Sequence, residues 1–143
     1  MMRVWVLNGP NLNLLGKREP ELYGSRTLAE IEDACVKEGV LLGMAVECRQ
    51  SNHEGELVDW MQEAKGMADA VVLNAGAYSH TSIALLDALR FFGGPVVEVH
   101  VSNIFAREAY RRHSVVSEAA RGVICGFGWR GYLYALRFLA DGE

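Results

Sequence analysis

The sequence predicts an α/β domain: a flavodoxin-like, doubly wound, five-stranded parallel sheet with helices on both faces. Three observations predict it. Short apolar, β-branched runs recur five times along the 143 residues. Segments with helical spacing separate them. The runs are apolar at consecutive positions rather than alternate ones, as strands covered on both faces require. The length suits a single domain, residues 1–143, with a sizeable core.

The elements follow in order. Arg3–Leu7 reads as the first strand, and a long polar loop, NGPNLNLLGKREPELYG (Asn8–Gly24), follows it. Thr27–Leu41 places Leu28, Ile31, Ala34, Cys35 and Val36 on one helical stripe. Met44–Cys48 is the second strand. The next helix, Glu54–Ala64, follows a candidate capping box, Ser51-x-x-Glu54, and turns Leu57, Val58, Trp60 and Met61 inward. Ala70–Asn74 is the third strand. Helix Ser82–Phe92 carries Ile83, Leu86, Leu89 and Phe92, and Gly93-Gly94-Pro95 stops it. Pro95–His100 is the fourth strand, Asn103–His113 a helix, Gly122–Gly126 the fifth strand and Trp129–Leu139 the last helix.

Composition excludes several classes. A net charge of −4 gives no electrostatic reason to expect nucleic acid. The apolar runs fall short of a membrane span, and the stretch after Met1-Met2-Arg3 is too short for a signal peptide. Three cysteines without CxxC spacing read as reduced thiols of a cytoplasmic protein. No His, Cys or carboxylate group has metal-ligand spacing, so no metal is expected. Six residues separate Gly9 from Gly16, where a phosphate-binding loop of Walker type needs four before Gly-Lys. GxGxxG is absent, and no serine has a GxSxG setting.

In a doubly wound sheet, ligands bind beyond the carboxyl ends of the strands. Three of those ends are polar: the opening loop, Asn74–His80 and Glu98–Asn103. Glu98 and His100, two apart on a strand, share a face. They form either a structural pair or an imidazole acid or base held by a carboxylate. Arg18 precedes Tyr23 on a segment broken by Pro20, so Tyr23 is either a packing lid or a phenol whose ionisation a cation favours. Asn11 and Asn13 are turn residues or ligand contacts. Arg107 and Arg111, four apart, form a solvated face or an anion clamp. His80 is a surface histidine or a ligand group, and Asp87 interrupts an otherwise apolar helix.

The segments Asn8–Gly24, QSNHEGELVD (Gln50–Asp59), NAGAYSHTSIALLD (Asn74–Asp87) and EVHVSNIFAR (Glu98–Arg107) carry a resemblance. So do His113-Ser114 and GFGWRGYLYALRFL (Gly126–Leu139). End to end and in order, the chain resembles type II 3-dehydroquinate dehydratase. The resemblance implies reversible anti elimination of water from 3-dehydroquinate, giving 3-dehydroshikimate through an enolate, in the shikimate route to aromatic compounds. It implies Tyr23 as the base, Arg18 on a lid (residues 16–25) as its activator, and His100 supported by Glu98 as the acid. Asn11 would hold a water near the enolate oxygen. Asn74, His80 and Arg111 would grip ring hydroxyls, and the backbone N–H groups of Val101 and Ser102 would receive the carboxylate. Arg107 falls where a further arginine lies near the tyrosine. Asp87 would serve a neighbouring subunit's site. No cofactor is implied, and the implied assembly is a homododecamer of four trimers. Phe105 and Val115 depart from the family pattern, where histidine and an aromatic residue are common. Two other classes are weaker fits. An FMN- or nucleotide-binding module needs a phosphate-cradling first loop. A phosphoacceptor receiver needs aspartate where Asn74 stands.

Overall fold

The computed structural model describes residues 1–141. Five strands, β1 (Met2–Asn8), β2 (Met44–Gln50), β3 (Ala70–Asn74), β4 (Val96–His100) and β5 (Gly122–Cys125), form one sheet in the order β2-β1-β3-β4-β5. Every pairing is parallel. This is the flavodoxin-like doubly wound order that the alternating pattern predicts. Every residue of the central strands β3 and β4 is buried, as is β1 from Val4 onward, whereas the edge strands β2 and β5 are half exposed.

The helices divide between the faces. Leu28, Ile31 and Cys35 of α2 (Leu28–Leu41) and Tyr132, Ala135, Leu136 and Leu139 of α5 (Arg130–Asp141) pack on Val4, Val6, Val72, Val97 and Val99. Leu57, Met61 and Ala64 of α3 (Glu54–Met67) and Leu85, Ala88, Leu89 and Phe92 of α4 (Ile83–Phe92) cover Trp5, Leu7, Val71, Leu73 and Val96. Each large aliphatic side chain buried this way stabilises the fold by roughly 1.5–3 kcal/mol before chain entropy is charged against it. The short helix α1 (Pro20–Tyr23) lies in the opening loop. Among the described residues no helix is long and apolar enough to cross a membrane.

Local chemistry corrects four expectations. The capping box belongs to α2: Thr27 Oγ1 accepts from the Glu30 N–H at 3.2 Å, and Glu30 Oε1 accepts from the Thr27 N–H at 3.1 Å. Ser51 makes a tighter turn instead. Its hydroxyl accepts from the His53 N–H at 2.9 Å, so α3 starts at Glu54 with His53 as an N-cap that forms no side-chain bond. Val36 and Ile83 are exposed rather than on the buried stripes of α2 and α4.

Asn103–His113 is not a helix but two single 3-10 turns, Ile104–Ala106 and Ala109–Arg111. Asn103 Oδ1 accepts from the Phe105 N–H at 3.1 Å and caps the first turn, but the chain leaves helical geometry at Arg107 and Glu108, which are extended. Arg107 and Arg111 therefore reach the same region from separate turns rather than from one helix face.

One glycine brings the strand ends together. A Cβ on Gly9 would lie 2.5 Å from the Ala75 carbonyl oxygen, so only glycine lets β1's exit cross β3's. The Gly9 N–H then donates to the Asn74 carbonyl at 2.8 Å.

Candidate active site

At the carboxyl ends of β1, β3 and β4 lies a cavity of about 130 Å³. Asn11, Arg18, Tyr23, Asn74, His80, His100, Val101, Ser102, Arg107 and Arg111 line it together. Glu98 stands behind His100 with no solvent exposure. Asp87 is exposed on α4 and outside this lining.

Glu98 and His100 project from the same face of β4, and His100 Nε2 donates to Glu98 Oε2. Ser114 Oγ donates to the same oxygen at 2.7 Å, and Ser117 Oγ donates to Oε1. Burial is the largest influence on Glu98 and pushes its pKa up. The bonds from His100, Ser117 and Ser114, with the imidazole's charge, outweigh it and hold the carboxyl below its ordinary value. With Nε2 committed to Glu98, Nδ1 is the His100 nitrogen left for a ligand.

His80 stacks on His100, their ring centroids 6.2 Å apart. Its Nδ1 lies 2.8 Å from the His113 carbonyl oxygen, which can only accept. The proton therefore sits on Nδ1.

Tyr23 ends the one-turn helix α1. Pro20, which the sequence suggested would break this segment, instead starts the helix at its first position. Glu19, the N-cap, is left-handed at φ 41°, and the Tyr23 N–H closes the turn on the Glu19 carbonyl at 3.1 Å. The loop carrying this turn is pinched at its base. A Cβ on Gly16, whose φ is +87°, would lie 2.9 Å from the Ser25 carbonyl oxygen. Beyond the loop, the Arg26 guanidinium lies 4.2 Å from the centre of the Trp129 ring. Loop ends this close describe a compact flap on a fixed base.

The guanidinium carbons of Arg18 and Arg107 each lie 5.2 Å from the Tyr23 ring centre. Arg107 is steadied by Ser102, whose hydroxyl accepts from Nη1 at 3.2 Å. Arg111 donates to Glu108, and that bond, with the carboxylate's charge, pushes its pKa up against the opposing effect of burial. Three guanidinium groups around one cavity draw an anionic ligand.

Sequence reasoning missed the groups behind these side chains. Tyr132 is fully buried, accepts from Asn74 Nδ2 at 2.9 Å and donates to Asn8 Oδ1 at 2.5 Å. The Gly76 N–H donates to Asn74 Oδ1 at 3.2 Å, so the Asn74 amide can face only one way. A signal existed. Tyr132, Ala135, Leu136 and Leu139 occupy i, i+3, i+4 and i+7, and a phenol on such a stripe needs a buried partner. Asn52, whose Oδ1 accepts from the Asn11 N–H at 2.9 Å, and the two serines on Glu98 had no comparable signal.

Comparison with known proteins bears on the chain as a whole. A family model described as Dehydroquinase class II matches residues 2–140. The chain is 63% identical over 136 residues to "3-dehydroquinate dehydratase 1" of Agrobacterium fabrum, covering 95% of this chain and 94% of that one. It is 59% identical over 141 residues to a 3-dehydroquinate dehydratase of Mesorhizobium japonicum, covering 98% of each. The crystal structure of a type II dehydroquinase from Propionibacterium acnes superposes with a TM-score of 0.96 at 44% identity, covering 99% of this chain and 97% of that one. Sequence, sheet order and near-complete overlap converge: the chain belongs to the class II dehydroquinase family.

Proposed function

We propose that this protein is a 3-dehydroquinate dehydratase, a hydro-lyase that removes water from 3-dehydroquinate by anti elimination. The observation that carries the reading is the pairing of two opposite tools in one cavity: a phenol flanked by two guanidinium groups, and an imidazole backed by a buried carboxylate. The proton beside the substrate ketone is weakly acidic, so its removal needs a strong base and a stabilised enolate. Tyr23, as a phenolate favoured by Arg18 and Arg107, takes that proton. The hydroxyl that leaves needs an acid, and His100 supplies a proton from Nδ1 while Glu98 balances its charge. Base and acid come from different elements, the flap and β4, and so can address opposite faces of the ring.

Asn11 holds a water beside the enolate oxygen. Asn74, His80 and Arg111 grip hydroxyls, and the N–H groups of Val101 and Ser102 receive the carboxylate. The 16–25 segment closes over the substrate, excluding water and strengthening the Arg18–Tyr23 coupling. Asp87, outside the cavity of its own chain, serves the cavity of a neighbouring copy in a homo-oligomer.

The test adds 3-dehydroquinate to the purified protein and follows the ultraviolet absorbance of the conjugated product. Tyr23→Phe and His100→Ala each lower kcat by roughly 100- to 10,000-fold, the usual worth of a general acid or base, while circular dichroism stays unchanged. Wild-type rates in either variant reject its assigned role. In the same assay Asp87→Ala raises KM, and an unchanged KM rejects the neighbouring-copy role.

A further inference from the structure

Residues 113–119 form a strap behind both imidazoles. The His113 carbonyl accepts from His80 Nδ1 at 2.8 Å, and the Val115 N–H donates to the Ser79 carbonyl at 2.8 Å. Ser114 and Ser117, the latter in the 3-10 turn Val116–Ala119, donate to the two oxygens of Glu98. Val116 is buried in the core under α3 and α4, and Glu118 pairs with Arg90 of α4 at 3.6 Å. The strap is thus anchored at an apolar point and at a charged one.

We propose that Ser114 and Ser117 are positioning residues that decide where the proton shared by Glu98 and His100 resides, keeping it on the imidazole. The inference rests on the reading of His100 as the acid and deepens it. The shared proton has two homes. On His100 Nε2 it makes an imidazolium beside a carboxylate; on Glu98 it makes a neutral pair. Burial alone favours the neutral pair, because it leaves no charge to desolvate. Hydroxyl donors oppose this, since a hydrogen bond to a carboxylate is about twice as strong as one to a neutral acid. Two of them, one on each oxygen, select the ionised form.

The choice matters for the elimination. The Nδ1–H of an imidazolium is a competent acid, whereas the Nδ1–H of a neutral imidazole is a far weaker one. In the step itself the enolate pair returns through the ring to form the new C=C bond as the C–O bond breaks, and the departing hydroxyl takes the Nδ1 proton and leaves as water. His100 is left neutral, its Nε2–H still donating to Glu98, and the serines keep the carboxylate satisfied throughout.

The charged and titratable groups facing this pair are His80, stacked on His100, and, across the cavity, Tyr23, Arg18, Arg107 and Arg111.

The test compares wild type with Ser114→Ala, Ser117→Ala, the double variant and Ser117→Thr, which keeps the hydroxyl. Removing the donors disfavours every state in which Glu98 is ionised. The double variant therefore loses about tenfold or more in kcat, part of a general acid's worth, with KM nearly constant. The alkaline limb of its kcat–pH profile, which reports loss of the proton shared by Glu98 and His100, moves to higher pH. Ser117→Thr restores most of the rate. Imidazole nitrogen resonances of 15N-labelled protein, followed across about pH 5 to 9 where histidine titrates, show His100 shifting toward the neutral form in the double variant. The single variants carry the test if the double variant does not fold.

An unmoved alkaline limb with unmoved imidazole resonances overturns the proposal, as does a loss expressed only as a lower Tm. The resonances read the serines whether or not the protein turns over. Full activity in His100→Ala would instead strike the reading of the acid, so the two failures are distinguishable.

Discussion

At the scale of single residues, the two guanidinium groups beside Tyr23 can be weighed. A unit charge about 5 Å away is worth roughly 3 kcal/mol at an effective dielectric of 20, and less once solvent reaches it. Arg107 is partly exposed, so a contribution of about 1–3 kcal/mol is expected, or roughly 5- to 150-fold in rate. Arg107→Gln should lower kcat by a factor in that range. A steady-state assay with 3-dehydroquinate checks it, and an unchanged kcat would count against any charge contribution from Arg107. Sequence alone placed Arg107 beside the tyrosine only through family resemblance. Its own geometry comes from a broken helix: the Asn103 side chain bonds to backbone, the chain runs extended through Arg107, and the side chain is turned toward Ser102 and Tyr23.

At the scale of elements, Tyr132 links α5 to the ends of β1 and β3. Tyr132→Phe keeps the ring and removes the hydroxyl, leaving Asn74 Nδ2 and Asn8 Oδ1 short of a buried partner. Each stranded polar group costs about 1–3 kcal/mol. Thermal melts should therefore show a clear drop in Tm, and KM should rise because Asn74 is no longer held to one orientation. A fall in Tm with KM intact would mean that the bridge stabilises the fold without serving the cavity.

The strands were legible in the sequence because buried parallel strands write themselves as unbroken β-branched runs, as in Val71-Val72-Leu73 and Val96-Val97. The four long helices were legible from their stripes and stops. What was not legible depended on contacts distant in sequence or on rival local bonds. Ser51 matched a capping-box pattern, but its hydroxyl bonds only two residues on. The Asn103–His113 segment is rich in helix formers, yet it runs extended at Arg107 and Glu108, where Arg107 reaches Ser102 and Tyr23, and those tertiary contacts override the propensity. Of the cavity, the polar strand ends were visible one by one. Their convergence, and the Tyr132 and serine bonds behind them, required the fold.

For the whole molecule, buried ionisable groups fix how stability responds to pH. Glu98 is held below its ordinary value of 4.5, so the folded state binds fewer protons than the unfolded chain in that region. Its contribution is present above about pH 4.5 and is lost as pH falls through the folded value. Glu30 and Glu108, also lowered, act in the same direction at the surface, and Glu32, pushed up by burial, acts against them. The alkaline side has the opposite sign. The Cys48 thiol is pushed far above 9.0, first by its bond with Cys35 and then by burial. The Tyr132 phenol is pushed above 10.0 by burial. Such groups stabilise the fold below the unfolded pKa, and above it the unfolded chain ionises where the folded one does not. Stability should therefore fall by about 1.4 kcal/mol per pH unit beyond the thiol's ordinary value, and about twice as steeply once the phenol's ordinary value is passed. Melting curves from acid to alkaline buffer should show a plateau with two shoulders on the alkaline descent. Cys48→Ala should erase the first and Tyr132→Phe the second. A descent that keeps both shoulders in both variants would place the alkaline sensitivity elsewhere in the molecule.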